Sequence, residues 1–389
     1  MTPPSLLLPA PGRGTAPYAM REPERLPGPA VPAPRSRVAF AAAHVVADPL
    51  ADNTPGQPAA LDWDATLAFR RHLWSYGLGV AEAMDTAQRG GGLDYAAARE
   101  LVRRSAAEAR ARGGRIAAGA STDHLPPGPR PLHEVLAAYE RQAAEVEEAG
   151  AQVVLMASRH LAAAARAADD YLEVYGRVLE QLSAPAILHW LGPRFDPLLE
   201  GYWGSPDIDV ASETLLRLVA EHPGRVDGVK LSLLDAGREV ALRRRLPHGV
   251  RMYTGDDFNY QALIRGDERG HSDALLGIFD AIAPLASAAL RALDAGDGAA
   301  YDRLLGPTVP LARHLFAPPT YHYKSGIVFL AWLAGLQDHF TMVGGLQSAR
   351  SVPHLVRLFV LADEAGLLPD PELAAARMRC WLALAGVAT

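Results

Sequence analysis

The sequence predicts an α/β protein: a (β/α)8 TIM barrel with a C-terminal helical domain and a proline-rich N-terminal arm. Three observations support this fold class. Short apolar runs typical of strands alternate with longer amphipathic segments from residue 36 to residue 285. Eight such runs over roughly 250 residues match a barrel of this type. After residue 285 the strand pattern stops, and the remaining chain is typical of helices.

The strand candidates are runs of apolar and β-branched residues. They are RVAFAAAHVV (37–46), YGLGVAEAM (76–84), RIAAGAST (115–122), QVVLMAS (152–158), PAILHWLG (185–192), VDGVKLS (226–232), VRMYTGDD (250–257) and ALLGIFD (274–280). Amphipathic segments such as 94–114 and 132–151 separate most of them. A doubly wound open sheet is the alternative, but its usual glycine-rich phosphate turn is not found in the sequence. The predicted divisions are an arm (1–35), a barrel (36–285) and a helical domain (286–389).

Composition limits the function classes. The arm is rich in proline and poor in periodicity, which indicates a flexible or draped segment. The net charge of −6 gives no basic surface for nucleic acid, and no apolar run approaches the roughly 18 residues of a membrane span. The single cysteine, Cys380, excludes an internal disulfide and a cysteine-clustered metal site. The opening residues are a poor secretory signal, so we expect a cytoplasmic protein.

Lysine usage is the sharpest compositional observation. Lysine and arginine total 38, and only Lys230 and Lys324 are lysines, which leaves 36 arginines. Arginine replaces lysine as a surface charge, but its guanidinium cannot form an imine with a carbonyl compound. The sequence thus uses arginine almost exclusively as its basic residue. A lysine that is retained in such a sequence is therefore a candidate functional residue, and the alternative is that it was retained by chance.

Several segments together carry a family resemblance. They are EEAGAQVVLMAS, SAPAILHWLG, EHPGRVDGVKLSLLD, VRMYTGDDFNYQALIRG, GDGAAYDRLLGPTVPLARHLF and YHYKSGIVFLAWLAGL. Their order resembles the dihydrodipicolinate synthase and N-acetylneuraminate lyase superfamily over most of residues 37–340, as a distant branch close to a group catalogued as a domain of unknown function. The resemblance implies a lyase, either aldolase or dehydratase, that forms a Schiff base with a small carbonyl substrate. It further implies no cofactor or metal ion and a homo-oligomer, a dimer or tetramer.

Lys230 lies at the position of the Schiff-base lysine by this resemblance. The physical argument agrees, because an inward lysine on an apolar strand is partly desolvated, which lowers its pKa and frees the amine. The resulting imine is an electron sink for cleavage or formation of the adjacent bond. Lys324, in the helical domain, is interpreted as a packing or interface lysine.

The strand-five segment departs from the family's pattern. His189 falls where the family usually carries a proton-relaying tyrosine, and histidine is a capable proton shuttle. A hydrogen-bonded core histidine is the alternative. Trp190 is a candidate pocket residue, although a tryptophan in a strand is more often part of the core.

The segment after strand two departs as well. Asp85, Thr86 and Gln88 stand where the family usually binds the carboxylate of a keto acid. Asp85 would repel such a carboxylate unless Arg89 neutralises it, so a polyhydroxylated carbonyl compound from carbohydrate metabolism is at least as good a candidate substrate. Asp85 and Thr86 could instead cap the next helix.

Further candidates lie at other strand ends. Gly255 permits close approach to a ligand, and Asp256 and Asp257 could bind hydroxyl groups, orient the strand-five histidine or cap a helix. His44 and Glu82 are candidate pocket residues whose direction the sequence does not define.

Two alternatives remain open. A divalent metal site could draw its ligands from the acidic and histidine candidates, namely His44, Glu82, His189, Asp256 and Asp257. No tight motif such as H-x-H supports it. A non-catalytic carbohydrate sensor is the other alternative, and either could dispense with the lysine at position 230.

Overall fold

The structure is a computed structural model that describes residues 3–10, 14–22, 28–29 and 33–387. Its strands are β1 (Ser5–Ala10), β2 (Gly14–Ala19), β3 (Ala39–Ala42), β4 (Gly79–Glu82), β5 (Ile116–Ala120), β6 (Gln152–Met156), β7 (Ala186–Leu191), β8 (Val226–Ser232), β9 (Arg251–Thr254) and β10 (Asp273–Leu276). Its α-helices are α1 (Trp63–Ser75), α2 (Tyr95–Arg112), α3 (Leu132–Ala149), α4 (Arg159–Ala164), α5 (Ala168–Gln181), α6 (Ile208–Glu221), α7 (Ala236–Arg243), α8 (Tyr260–Arg265), α9 (Ile278–Ala281), α10 (Ala283–Asp294), α11 (Gly298–Leu305), α12 (Thr308–Leu315), α13 (Tyr323–Leu333), α14 (Val352–Glu364) and α15 (Pro371–Leu384).

Strands β3 to β10 form a closed parallel barrel in chain order, and β10 pairs back to β3. Seven of the eight predicted runs contain one of these strands, and the eighth, 274–280, overlaps β10, which begins one residue earlier, so the predicted (β/α)8 barrel is confirmed. Most strands are shorter than the predicted runs, because those runs continue into the loops at the carboxyl ends. Helices follow the strands and cover the barrel, as parallel crossovers require.

Apolar side chains fill the inside of the barrel. They form one cluster that includes Phe40, Ala81, Val154, Ile187, Tyr253 and Leu275, taken from alternate positions of the strands. The rings of Phe40 and Tyr253 meet edge to face with centroids 6.2 Å apart. Polar side chains on the same inward face, such as His189 and Lys230, lie further along their strands. The barrel therefore has a packed interior and a polar mouth at its carboxyl end.

The region after the barrel is helical throughout the part that the structure describes. Helix α13 is buried along its whole length, as its nearly uninterrupted apolar sequence requires. The boundary predicted between residues 285 and 286 falls inside α10. This helix also packs on the barrel, because Ser287 Oγ donates a hydrogen bond of 2.6 Å to the Tyr76 carbonyl. The last strand of a barrel is followed by a helix that still packs on it. A boundary drawn where the strand pattern ends therefore falls within that helix.

The N-terminal arm contains strands that its sequence did not predict. Strands β1 and β2 form an antiparallel hairpin that contacts α14 and α15 and buries Leu6 and Leu8. The Tyr18 hydroxyl donates to Asp363 Oδ2 at 2.7 Å. Of the two alternatives given for this stretch, flexible or draped, the packed hairpin agrees with a draped segment. Residues 11–13, 23–27 and 30–32 of the arm lie outside the described residues.

No helix among the described residues has the length and apolarity that crossing a membrane requires.

Candidate active site

Lys230 lies on β8 at the barrel mouth, level with His189 of the neighbouring strand β7. Its side chain is 8% exposed, and among the described residues its Nζ has neither a hydrogen-bond nor an ion-pair partner. Gly255 makes room for it, because a Cβ at that position would lie 3.0 Å from Lys230 Cε and 2.8 Å from the Leu231 carbonyl oxygen. The candidate nucleophile is therefore buried but not engaged by the protein.

Burial also changes the protonation of this amine. Desolvation lowers the pKa of Lys230 from 10.5 to about 8, against the opposing effect of the negative charges of Asp257 and Asp85. Burial raises the pKa of Asp257 to about 7, although the Ile278 N–H donates to its Oδ1 at 2.9 Å and the nearby Lys230 charge favours ionisation. Both groups therefore titrate near neutral pH, as is common in active sites.

His189 points into the barrel and is 2% exposed. Its Nε2 lies 3.1 Å from Ser232 Oγ, and its buried Nδ1 has no partner among the described residues. Burial, with a smaller effect from the Lys230 charge, holds the pKa of His189 well below 6.5. The imidazole is therefore neutral at pH 7, so it is a weaker base than its residue type alone suggests.

Asp85 and Thr86 bind the C-terminal region. Asp85 Oδ1 lies 2.7 Å from Lys324 Nζ, and Thr86 Oγ1 lies 2.6 Å from the Tyr323 hydroxyl. Both partners belong to the first turn of α13, which reaches the barrel mouth. Lys324, interpreted from the sequence as a packing or interface lysine, thus pairs with a residue of the barrel mouth. Neither Asp85 nor Thr86 caps a helix through its side chain.

The suggested pairing of Arg89 with Asp85 is not what the structure shows. Arg89 binds the Asp123 carboxylate through two nitrogens, at 2.7 and 2.8 Å. Lys324 supplies the positive charge beside Asp85 instead. Gln88 connects the same loop to the C-terminal region, because its Nε2 donates to the Val343 carbonyl at 2.8 Å.

Two candidates lie behind the barrel wall. Glu82 receives two hydrogen bonds of 2.9 Å from Arg70, a buried arginine of α1. His44 Nδ1 lies 2.8 Å from Asp280 Oδ2 and its Nε2 lies 2.9 Å from Gln337 Oε1. Both side chains are saturated by protein partners, so the prediction that they face the pocket is not supported.

Two further candidates also have structural partners. Trp190 points outward from β7 and packs edge to face on Trp203, with centroids 6.4 Å apart, because inward and outward positions alternate and His189 points inward. Asp256 accepts hydrogen bonds from the N–H groups of Phe258 and Asn259 at 2.9 and 3.0 Å, so it orders the turn before α8. Of the two acidic residues after β9, only Asp257 acts on Lys230.

Sequence reasoning missed three polar residues of the mouth. Ser232 could have been found, because it lies two positions beyond Lys230 and so shares its face of the strand. Tyr323 and Lys324 could not, because nothing local indicates that the first turn of α13 returns to the barrel. Within the described residues, no group of three or more His, Cys, Asp or Glu side chains is arranged to hold a metal ion. The metal-ligand candidates named from the sequence are thus not brought together.

Comparisons with solved structures agree with this architecture. A dihydrodipicolinate synthetase-like protein from Pseudomonas aeruginosa superposes with a TM-score of 0.63 at 18% identity, over 85% of this chain and 99% of that one. YagE of E. coli K12, a member of the dihydrodipicolinic acid synthase family solved with pyruvate, gives 0.65 at 14% identity, over 85% and 99%. Dihydrodipicolinate synthase from Aquifex aeolicus gives 0.63 at 14% identity, over 85% and 98%.

These likenesses confirm the fold that the sequence resemblance predicted. A comparison with curated protein sequences gave no match. One family model covers nearly the whole chain, from residue 6 to residue 387. By that match the chain belongs to the family described as "Protein of unknown function (DUF993)".

Proposed function

We propose that this protein is a lyase, an aldolase or a dehydratase, that acts on a keto acid or a polyhydroxylated carbonyl compound through a Schiff base on Lys230. The main observation in support of the proposal is the environment of the Lys230 amine. It is buried at the mouth of a barrel, has no partner among the described residues, and has a pKa lowered to about 8 by desolvation. Burial of such a lysine lowers the stability of the folded protein, and its unprotonated amine is a good nucleophile.

The proposed chemistry uses groups that surround the amine. The neutral Lys230 nitrogen attacks the carbonyl carbon, and water leaves as the C=N bond forms. The protonated imine then accepts the electron pair of the Cα–Cβ bond while the β-hydroxyl group gives up its proton, which cleaves that bond. Alternatively it accepts the electron pair of an α C–H bond as that proton is removed, and the resulting enamine expels the protonated β-hydroxyl group as water. His189 and Ser232, which are in hydrogen-bond contact, are the groups assigned to proton transfer.

The comparisons support an enzyme of this general kind. The superposed proteins named above are dihydrodipicolinate synthase relatives, and one of them was solved with pyruvate. Their identity to this chain, 14 to 18%, supports the fold and leaves the substrate to be argued from the site itself.

The test is reductive trapping. The purified protein is incubated with borohydride and a panel of keto acids and keto sugars, and adducts are detected by intact mass and located by peptide mapping. We expect an adduct on Lys230 that disappears in Lys230→Arg. Lys324→Arg is the matched control, because it changes the other lysine and should retain the adduct. An adduct on Lys324, or trapping that persists in Lys230→Arg, would contradict the proposal.

A further inference from the structure

The ion pair between Asp85 and Lys324 bears on which carbonyl compound the site accepts. Lys324 is 5% exposed, and its ammonium contacts Asp85 Oδ1 at 2.7 Å and the Tyr321 carbonyl oxygen at 3.2 Å. Its charge is therefore already balanced by the protein. The charge of Asp85 also reaches Lys230, where it favours the protonated amine. The pair thus belongs to the surroundings of the reacting carbonyl.

Unsatisfied atoms at this mouth can receive hydrogen-bond donors. Asp85 Oδ2 and His189 Nδ1 are buried, and neither has a hydrogen-bond partner within 3.5 Å among the described residues. The Tyr323 hydroxyl lies close enough to interact with the Asp85 carboxylate, so a ligand hydroxyl would share this acceptor with it. His189 is 2% exposed, and its Nδ1 accepts a hydrogen bond in the neutral tautomer whose proton lies on Nε2, beside Ser232 Oγ. Buried acceptors without donors are costly, so they mark places where ligand groups that carry protons would bind well.

The charge distribution opposes an anionic substrate group. A carboxylate next to the imine would stand near Asp85 and Asp257, which both act electrostatically on Lys230. The nearby ammonium that could attract it is held by Asp85. The Thr86 hydroxyl, a further possible donor, is engaged with Tyr323. Hydroxyl groups are uncharged and are not repelled, and they can donate a hydrogen bond to Asp85 Oδ2.

Resting on the proposed Schiff base, we infer that the substrate is a polyhydroxylated carbonyl compound with a hydroxyl group, and no carboxylate, beside its carbonyl carbon. The Asp85 carboxylate, held in place by Lys324, accepts a hydrogen bond from that hydroxyl group. Lys324 is thereby a positioning residue for Asp85, contributed by the C-terminal helical region.

The experiment compares two three-carbon ketones, dihydroxyacetone and pyruvate. Each is incubated separately with the full-length protein and borohydride, and the adduct on Lys230 is quantified by peptide mapping. Each rate is divided by the rate of the same ketone with Nα-acetyllysine, which removes intrinsic reactivity. We expect the corrected rate for dihydroxyacetone to exceed that for pyruvate by about tenfold or more.

Variants test the assignment to Asp85. Asp85→Asn removes the negative charge at nearly constant shape, and it should reduce the preference by about tenfold. Asp169→Asn is the matched control, because Asp169, like Asp85, is paired with a basic side chain, here Arg217, but is exposed on α5. It should leave the preference unchanged. If Asp85→Asn does not fold, the double variant Asp85→Asn with Lys324→Met removes both charges together and is measured instead.

The outcomes separate the two proposals. A wild-type preference for pyruvate would overturn the inference and leave the Schiff base standing. A preference for dihydroxyacetone that Asp85→Asn does not alter would overturn the role of Asp85. If neither ketone modifies Lys230, the proposed function fails, and the inference fails with it.

Discussion

The reactivity of Lys230 should follow a pH dependence that an exposed lysine cannot show. With a pKa of about 8, roughly one amine in ten is unprotonated at pH 7. At the ordinary value of 10.5 the fraction is roughly three in ten thousand. The lowered pKa therefore raises the reactive population about 300-fold at neutral pH. Because deprotonation activates the amine, reactivity should rise with pH up to about 8 and level off above it.

Reductive methylation measures this directly. Formaldehyde is small enough for a buried amine, and the two lysine-containing peptides can be followed separately by mass spectrometry from pH 6 to pH 10. The rate of Nα-acetyllysine at each pH is first divided by its own unprotonated fraction, and the Lys230 rate is then divided by that value, which removes the pH dependence of the reagents alone. Asp257→Asn should move the Lys230 midpoint to lower pH, because it removes a negative charge that favours the ammonium form. A Lys230 rate that climbs tenfold per pH unit up to pH 10 would refute the reasoning.

Four further outcomes are expected. Lys230→Met should abolish trapping yet raise the free energy of unfolding at pH 7 by up to about 3 kcal/mol, because it removes a desolvated charge. The gain should disappear between about pH 8 and 10.5, because in this range Lys230 of the wild-type protein is protonated in the unfolded chain and neutral in the folded one. An equal gain at pH 11 would contradict the lowered pKa. His189→Ala should lower turnover by about 10², and near-normal turnover would make the residue structural. Gly255→Ala should slow trapping about tenfold or more, since its Cβ would lie 2.2 Å from Ser232 Oγ and 3.0 Å from Lys230 Cε and would displace both side chains. Gly14→Ala, with nothing within 4 Å, is the control, and an equal effect there would contradict this reasoning. Glu82→Ala should cost about 3–5 kcal/mol in urea denaturation by leaving a buried guanidinium unpaired, and unchanged stability would contradict that role.

The fold was accessible from the sequence because local patterns encode it. Each apolar run of a parallel strand is buried on both faces, so the eight runs stand out from the amphipathic helices between them. The N-terminal hairpin was missed for the opposite reason. Its prolines and short apolar runs resemble a linker, and its burial depends on α14 and α15, which lie more than 300 residues away.

The candidate site was accessible only in part. Strand position, a rare residue type and the family resemblance together singled out Lys230, and Gly255 was named separately from the segment 250–257. The sequence did not predict which way the other side chains point. Adjacent strand residues face opposite sides, so an error of one position would exchange His189, inside the barrel, with Trp190, on its outer face. The partner of Asp85 was also out of reach, because Lys324 arrives from a helix whose docking is a tertiary event.

The N-terminal hairpin has a consequence for the order in which the molecule is completed. Residues 5–19 leave the ribosome before the barrel, yet the surface that buries Leu6 and Leu8 belongs to α14 and α15, which are synthesised more than 300 residues later. Arg379 of α15 donates to the Ser5 carbonyl at 2.7 Å, so the two ends of the chain close on each other. During synthesis the apolar face of the hairpin therefore stays exposed until α14 and α15 have left the ribosome and can cover it.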